Sequence, residues 1–206
     1  MMTFGRDHLF CLDQTMKLDV DRLRTYLQVH PVGPILIFGF TFMVLQHFFL
    51  ACASAHVDLS RCILIHSGGW KKLQQLAISN VEFKRRLPES TGLTRSSNFY
   101  GTVEQVGSVF VEGADGYLYP PNVADVIIRD PITWKEAPIG RPGVIQILGV
   151  LPLSYPGQSI LTEDWGIPHG IDDSSCGRSR KDFSVIGRIA TAELRGCSDT
   201  YEAVAA

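Results

Sequence analysis

The octet Asn98-Phe99-Tyr100-Gly101-Thr102-Val103-Glu104-Gln105 concentrates residue types that can handle a nucleotide. An aromatic ring can stack on a base, and a glycine lets the backbone approach. A hydroxyl can reach a phosphate, and a carboxylate can hold Mg²⁺. These roles would fall to Tyr100, Gly101, Thr102 and Glu104. Alone, the octet also fits an ordinary turn, because Tyr-Gly followed by polar residues is common there. Two further segments share its layout of apolar residues leading to a polar tip. Cys62–His66 runs into Ser67-Gly68-Gly69, and Leu161-Thr162-Glu163-Asp164 closes another run. A carboxylate such as Asp164, held at a strand end, can accept from both hydroxyls of a ribose. Gly187-Arg188 supplies a cation for the same sugar or its phosphate. The plain alternatives are that Gly68 and Gly69 only end a strand, that Glu104 and Asp164 are solvated turn acids, and that Arg188 is a surface arginine.

Strands must deliver those tips. Asp19 or Asp21 can cap a helix through about His30, with Leu23, Tyr26 and Leu27 as its apolar stripe. Pro31 and Pro34 break it. Ile35–Phe38 and Cys62–His66 read as strands buried on both faces, and Asn98–Tyr100 as a third. Thr41 can cap a helix to about Ala55, and a further helix is predicted from Lys71 to about Leu87. Strand and helix in alternation predict a parallel α/β sheet over residues 1–105. After Gln105 short runs are separated by Gly, Pro and Asp: Ser108–Glu112, Asp125–Arg129, Gly143–Leu148, Ser159–Thr162 and Phe183–Ile189. Residues 106–206 therefore read as a mostly antiparallel, β-rich subdomain, with a polar loop from Gly170 to Lys181.

Composition narrows the function classes. The chain has 206 residues, is 45% hydrophobic and 19% charged, and carries a net charge of −2 without a basic block. That is globular and gives no footprint for nucleic acid. Five cysteines, an odd number with no Cys-x-x-Cys pair, argue against a disulfide framework and a zinc site and suggest a reducing cytoplasm. The opening Met-Met-Thr-Phe-Gly-Arg-Asp-His does not read as a signal peptide. The apolar stretch Pro34–Ala55 has the length of a membrane span, but Gly39 splits it and Gln46 and His47 fall in its middle, so no integral span is expected.

Several stretches together carry a family resemblance. They are Pro34-Ile-Leu-Ile-Phe-Gly-Phe, Ile63-Leu-Ile-His-Ser-Gly-Gly-Trp, the octet from Asn98, Ala124-Asp-Val-Ile-Ile-Arg-Asp-Pro, Ser154-Tyr-Pro-Gly-Gln-Ser-Ile-Leu-Thr-Glu-Asp, Cys176-Gly-Arg and Arg195-Gly-Cys-Ser-Asp-Thr. The chain resembles the acyl-protein synthetases of the bacterial luminescence (fatty-acid reductase) type. These are adenylate-forming enzymes close to the phenylacetate–coenzyme A ligases. The resemblance implies part of an adenylate-forming α/β domain, with ATP and Mg²⁺ as cofactors. It implies Gly68 and Gly69 beside the adenine, Tyr100 on its face with Gly101 next to it, and Thr102 on the phosphate. Glu104 would act in catalysis and hold the metal, and Asp164 and Arg188 would bind the ribose. Cys197 aligns with the cysteine that accepts the acyl group as a thioester; a thiolate is a good nucleophile toward an activated acyl carbonyl. The implied substrate is a long-chain fatty acid, and the implied partners are an acyl reductase or a complementing N-terminal half.

Two departures accompany the match. The family's Ser/Thr/Gly-rich phosphate loop is expected upstream, and no such segment precedes Ile35; Gln158 stands where a His is expected. Two other classes therefore stay open: a non-catalytic, truncated interaction module and a phenylacetate-type coenzyme A ligase. A parallel sheet lacking neighbouring strands would also expose apolar faces, which points to self-association.

Overall fold

The computed structural model describes residues 5–68 and 79–189, which fall into two compact units. One holds residues 5–68, 79–100 and 111–116; the other holds 101–110 and 117–189.

The first unit is α/β. Its strands are β1 (Ile35–Phe40), β2 (Cys62–Ser67), β3 (Arg95–Tyr100) and β4 (Phe110–Glu112, whose first residue belongs to the second unit), in that spatial order. β1, β2 and β3 are parallel, with Ile35 opposite Cys62 and Ile63 opposite Arg95. Helix α1 (Val20–Val29) starts where expected: the Asp19 carboxylate accepts from the Arg22 backbone N–H at 3.0 Å. Its Leu23 joins a core of Phe48, Phe49, Cys52, Leu64, Phe83 and Leu87.

The helix expected from Thr41 forms, but not as one regular element. It comprises α2 (Thr41–Met43), a π-helical stretch over Val44–Phe49, and α3 (Leu50–Ser54). Thr41 does not cap it. Its hydroxyl turns instead to His66 Nδ1, 3.0 Å away. Helix α4 (Asn80–Thr91) is capped by the Ser79 hydroxyl, which accepts from Glu82 N–H, and it runs four residues beyond the expected end at Leu87. The expected start of that helix at Lys71 lies outside the described residues.

The second unit is β-rich and antiparallel, as the sequence predicts. Its strands are β5 (Leu118–Tyr119), β6 (Ala124–Arg129), β7 (Gly143–Gly149), β8 (Ser159–Ile171) and β9 (Lys181–Arg188), ordered β5-β9-β8-β7-β6. Alternating apolar residues build its core: Ala124, Val126 and Ile128 are buried, as are Val144, Ile145 and Ile147. Phe110 and Phe183 meet edge to face at 5.3 Å. β8 is far longer than the expected Ser159–Thr162. It passes through Pro168 by register shifts at Trp165/Gly166 and Pro168/Gly170, and its far end takes in Gly170 and Ile171, expected to be loop.

Among the described residues no helix is long and apolar enough to cross a membrane. The apolar stretch from Pro34 is divided between strand β1 and the broken helix that follows it.

Candidate functional site

In the first unit the parallel register sets two candidate positions side by side. Ser67 of β2 is opposite Phe99 of β3, so Gly68 and Tyr100 follow at the carboxyl ends of neighbouring strands. That end of a parallel sheet is where such folds bind ligands. Gly68 is exposed and has φ of +89°, a conformation that a side chain would strain. Tyr100 is half-buried. Gly69 lies outside the described residues.

Just below these tips lies His66, which is buried against the edge of Phe83 at 5.0 Å. Burial, with the Lys84 charge nearby, pushes its pKa down to about 4, so the imidazole is neutral at pH 7. Its Nε2 has no hydrogen-bond partner among the described residues.

A second buried group in this unit escaped the sequence reading. Glu112 is 3% exposed and its carboxylate is fully engaged. Oε1 accepts from Asn80 Nδ2 at 2.6 Å, Oε2 accepts from the Asn98 backbone N–H at 2.7 Å, and Lys84 Nζ stands 2.9 Å from Oε2. The network ties α4 to β3 and β4, and so fixes the strand that carries Tyr100.

In the second unit the Thr102–Glu104 segment forms a loop opening at Gly101, where an added Cβ would meet Ser108 O at 3.3 Å. Thr102 is half-buried, and its buried Oγ1 has no hydrogen-bond partner among the described residues. Glu104 is exposed. Its backbone carbonyl accepts from the Tyr155 hydroxyl, while the wholly buried Gln105 donates from Nε2 to Gly157 O at 2.7 Å. Sequence reading gave Tyr155 no role; nothing local marks a partner 51 residues away.

The same unit brings Asp164 and Arg188 together. They are direct cross-strand partners on β8 and β9, with Arg188 Nε 3.8 Å from Asp164 Oδ1. Arg188 also reaches Glu163 Oε2 at 3.2 Å. The Asp164 N–H donates to Thr162 Oγ1 at 3.2 Å, which steadies the strand at this point.

Among the described residues no three His, Cys, Asp or Glu side chains cluster as a metal site. A single carboxylate such as Glu104 still fits Mg²⁺, which takes one or two protein carboxylates and completes its shell with phosphates and water. The described thiols in the first unit are poor nucleophiles. Burial raises the pKa of Cys11, and pushes Cys52 up to about 12 and Cys62 to about 11. Cys197 lies outside the described residues.

With this geometry the fold can be compared with known proteins. It matches 2-hydroxyisobutyryl-CoA ligase, in an open conformation with 2-HIB-AMP and CoA, at a TM-score of 0.63 and 17% identity, covering 82% of this chain and 39% of that one. Apo MatB from Rhodopseudomonas palustris matches at a TM-score of 0.55 and 17% identity, over 84% of this chain and 34% of that one. The architecture is that of the adenylate-forming ligases. The model of the acyl-protein synthetase, LuxE, family matches residues 11–204, and the chain belongs to that family. The long-chain-fatty-acid–luciferin-component ligase of Vibrio harveyi is 26% identical over 137 residues, covering 66% of this chain and 35% of the relative. The chain thus spans about a third of the length of the relatives it matches.

Proposed function

We propose that this chain takes part in activating a long-chain fatty acid with ATP and transferring the acyl group to Cys197. In the first step the fatty carboxylate attacks the α-phosphate of ATP and pyrophosphate leaves. In the second, the Cys197 thiolate attacks the acyl carbonyl, forming a C–S bond as the acyl–phosphate bond breaks and AMP departs. The observation that carries the reading is the Asp164–Arg188 pairing: Asp164 lies within β8, not at a strand end as the sequence suggests, and faces Arg188, the last residue of β9, so that a carboxylate and a guanidinium share one cross-strand position. Asp164 would accept from the ribose hydroxyls, and Arg188 would spread charge near the sugar and phosphate. Gly68, Gly69 and Tyr100 would border the adenine, with Gly101 allowing the backbone to approach. Thr102 Oγ1, buried and without a hydrogen-bond partner among the described residues, would donate to a phosphate oxygen. Glu104 would hold Mg²⁺, whose role is to neutralise charge on the phosphates.

The reading includes two partners. One is a complementing ligase portion carrying the β/γ-phosphate cradle, in keeping with the third of its relatives' length that the chain spans. The other is a reductase that consumes the thioester. Family membership and the Vibrio harveyi relative support the fatty-acyl substrate. The test supplies a chemically made long-chain acyl-adenylate to the purified chain. Hydroxylamine-labile acylation that is lost in Cys197→Ser is the expected result. Labelling that persists in Cys197→Ser, or a thioester formed only on added coenzyme A, would overturn the acyl-protein assignment.

A further inference from the structure

Among the described residues, the loop carrying Thr102 and Glu104 is held by the segment that links β7 to β8. Tyr155 donates its hydroxyl to the Glu104 carbonyl, and Gln105 donates Nε2 to Gly157 O at 2.7 Å. Gln105 is 0% exposed, an uncommon place for an amide without a reason to be there. Gly149 backs it closely: a Cβ at that position would lie 2.8 Å from Ser108 Oγ and 2.9 Å from Gln105 Oε1. Gln105 Oε1 and Ser108 Oγ, like Thr102 Oγ1, have no hydrogen-bond partner among the described residues. The loop therefore bears a desolvation cost on its buried side, while the exposed Glu104 side chain stays in solvent. Such an arrangement fixes the backbone of a loop whose working groups must stay available to a ligand.

We propose that Gln105 and Tyr155 are positioning residues that latch the Thr102–Glu104 loop and thereby set affinity for the phosphate–Mg²⁺ end of the nucleotide, independently of the ribose end. The inference rests on the nucleotide reading given above. Neither residue is assigned a ligand contact in this reading. Each ties down the main chain beside a group that is, and the two bonds flank Glu104 at its own carbonyl and at the next side chain. Asp164 and Arg188 stand on β8 and β9, which neither latch bond touches. Loosening the latch should consequently separate the two ends of the ligand.

The test is calorimetric titration of the full chain with adenosine and with Mg·ATP, for wild type, Tyr155→Phe, Gln105→Glu and Asp164→Ala. Tyr155 is 44% exposed, so Tyr155→Phe removes one hydroxyl without disturbing a core, and a matching urea midpoint checks the fold. Each latch variant is expected to bind Mg·ATP about tenfold more weakly, the effect of one lost hydrogen bond to a constrained group. Adenosine affinity should stay within about twofold of wild type. Tyr155→Phe with unchanged Mg·ATP affinity overturns the latch. So does an equal loss for adenosine and Mg·ATP, which marks a general structural role. A wild type that binds both ligands and loses both in Asp164→Ala upholds the nucleotide reading whatever the latch variants do. A wild type that binds neither overturns that reading and the latch with it.

Discussion

Lys84 Nζ on α4 stands 2.9 Å from the carboxylate of Glu112 on β4, a group only 3% exposed. Lys84 keeps part of its side chain in solvent, so the pair is half-desolvated, and Asn80 and the Asn98 N–H satisfy the remaining carboxylate lone pairs. A buried carboxylate stripped of its cation is costly. Lys84→Met is expected to lower unfolding stability by about 2–3 kcal/mol, whereas Glu112→Gln, which still accepts from the Asn98 N–H, should cost less, about 1–2 kcal/mol. Urea midpoints at pH 7 measure both. Equal midpoints for wild type and Lys84→Met would show that the pair contributes nothing.

His66 makes stability depend on pH. Its pKa falls from 6.5 to about 4 on folding because burial disfavours the charged ring, and Lys84 adds to the effect. Between those values the unfolded chain binds a proton that the native chain does not. Stability is therefore full above pH 6.5, is lost as pH falls towards 4, and levels off below that. The full contribution is on the order of 3 kcal/mol. Burial lowers His47 and His169 in the same direction. Urea midpoints from pH 7 to pH 4 should fall steeply for wild type and less steeply for His66→Gln. Parallel curves would remove His66 from the account.

Thiol reactivity should divide sharply. Burial holds Cys52 and Cys62 protonated at neutral pH, with values near 12 and 11. Iodoacetamide at pH 8, followed by peptide mass mapping, is expected to leave both unlabelled in the native chain and to label them in urea. Native labelling as fast as in urea would contradict the packing of β2 and α3.

Among the described residues, one face of the parallel sheet is apolar and largely exposed. Leu36, Phe38 and Phe40 point away from the helical side and are 51%, 56% and 39% exposed, with Phe38 stacked on Phe99 at 6.0 Å. Parallel sheets are ordinarily covered on both faces. Self-association that rises with concentration is expected in light scattering, and Phe38→Ser should reduce it while preserving the circular dichroism spectrum. A monomer at all concentrations in wild type would count against this.

The local signals in the sequence were good guides where packing agreed with them. Asp19 caps α1 because an N-cap needs only its own turn. The continuous apolar runs at Ile35 and Cys62 became parallel strands, but the burial on both faces expected of Ile35–Phe38 is not met, because β1 comes first in the strand order and leaves Leu36, Phe38 and Phe40 exposed on one face. Residue type assigns Asp164 and Arg188 to the same sugar, and the antiparallel register supplies their direct pairing. What stayed hidden depends on distant partners. Thr41 looks like a cap until His66, 25 residues on, takes its hydroxyl. Glu112 looks like the polar end of a short strand, since its partners come from α4 and β3. β8 looked short because Pro168 interrupts it, and only the register shifts on β9 let it continue. The Gln105 and Tyr155 contacts span 52 and 51 residues, beyond the reach of any local pattern.

The proposed function turns on Asp164 holding the ribose of an acyl-adenylate. The most direct test is calorimetric titration with a non-hydrolysable long-chain acyl-adenylate analogue, comparing wild type with Asp164→Ala. The account expects saturable binding by wild type and a loss of about 10- to 100-fold in the variant, the effect of a charged acceptor withdrawn from the ribose. A folded wild type that fails to bind, or an Asp164→Ala chain that binds equally well, would contradict it.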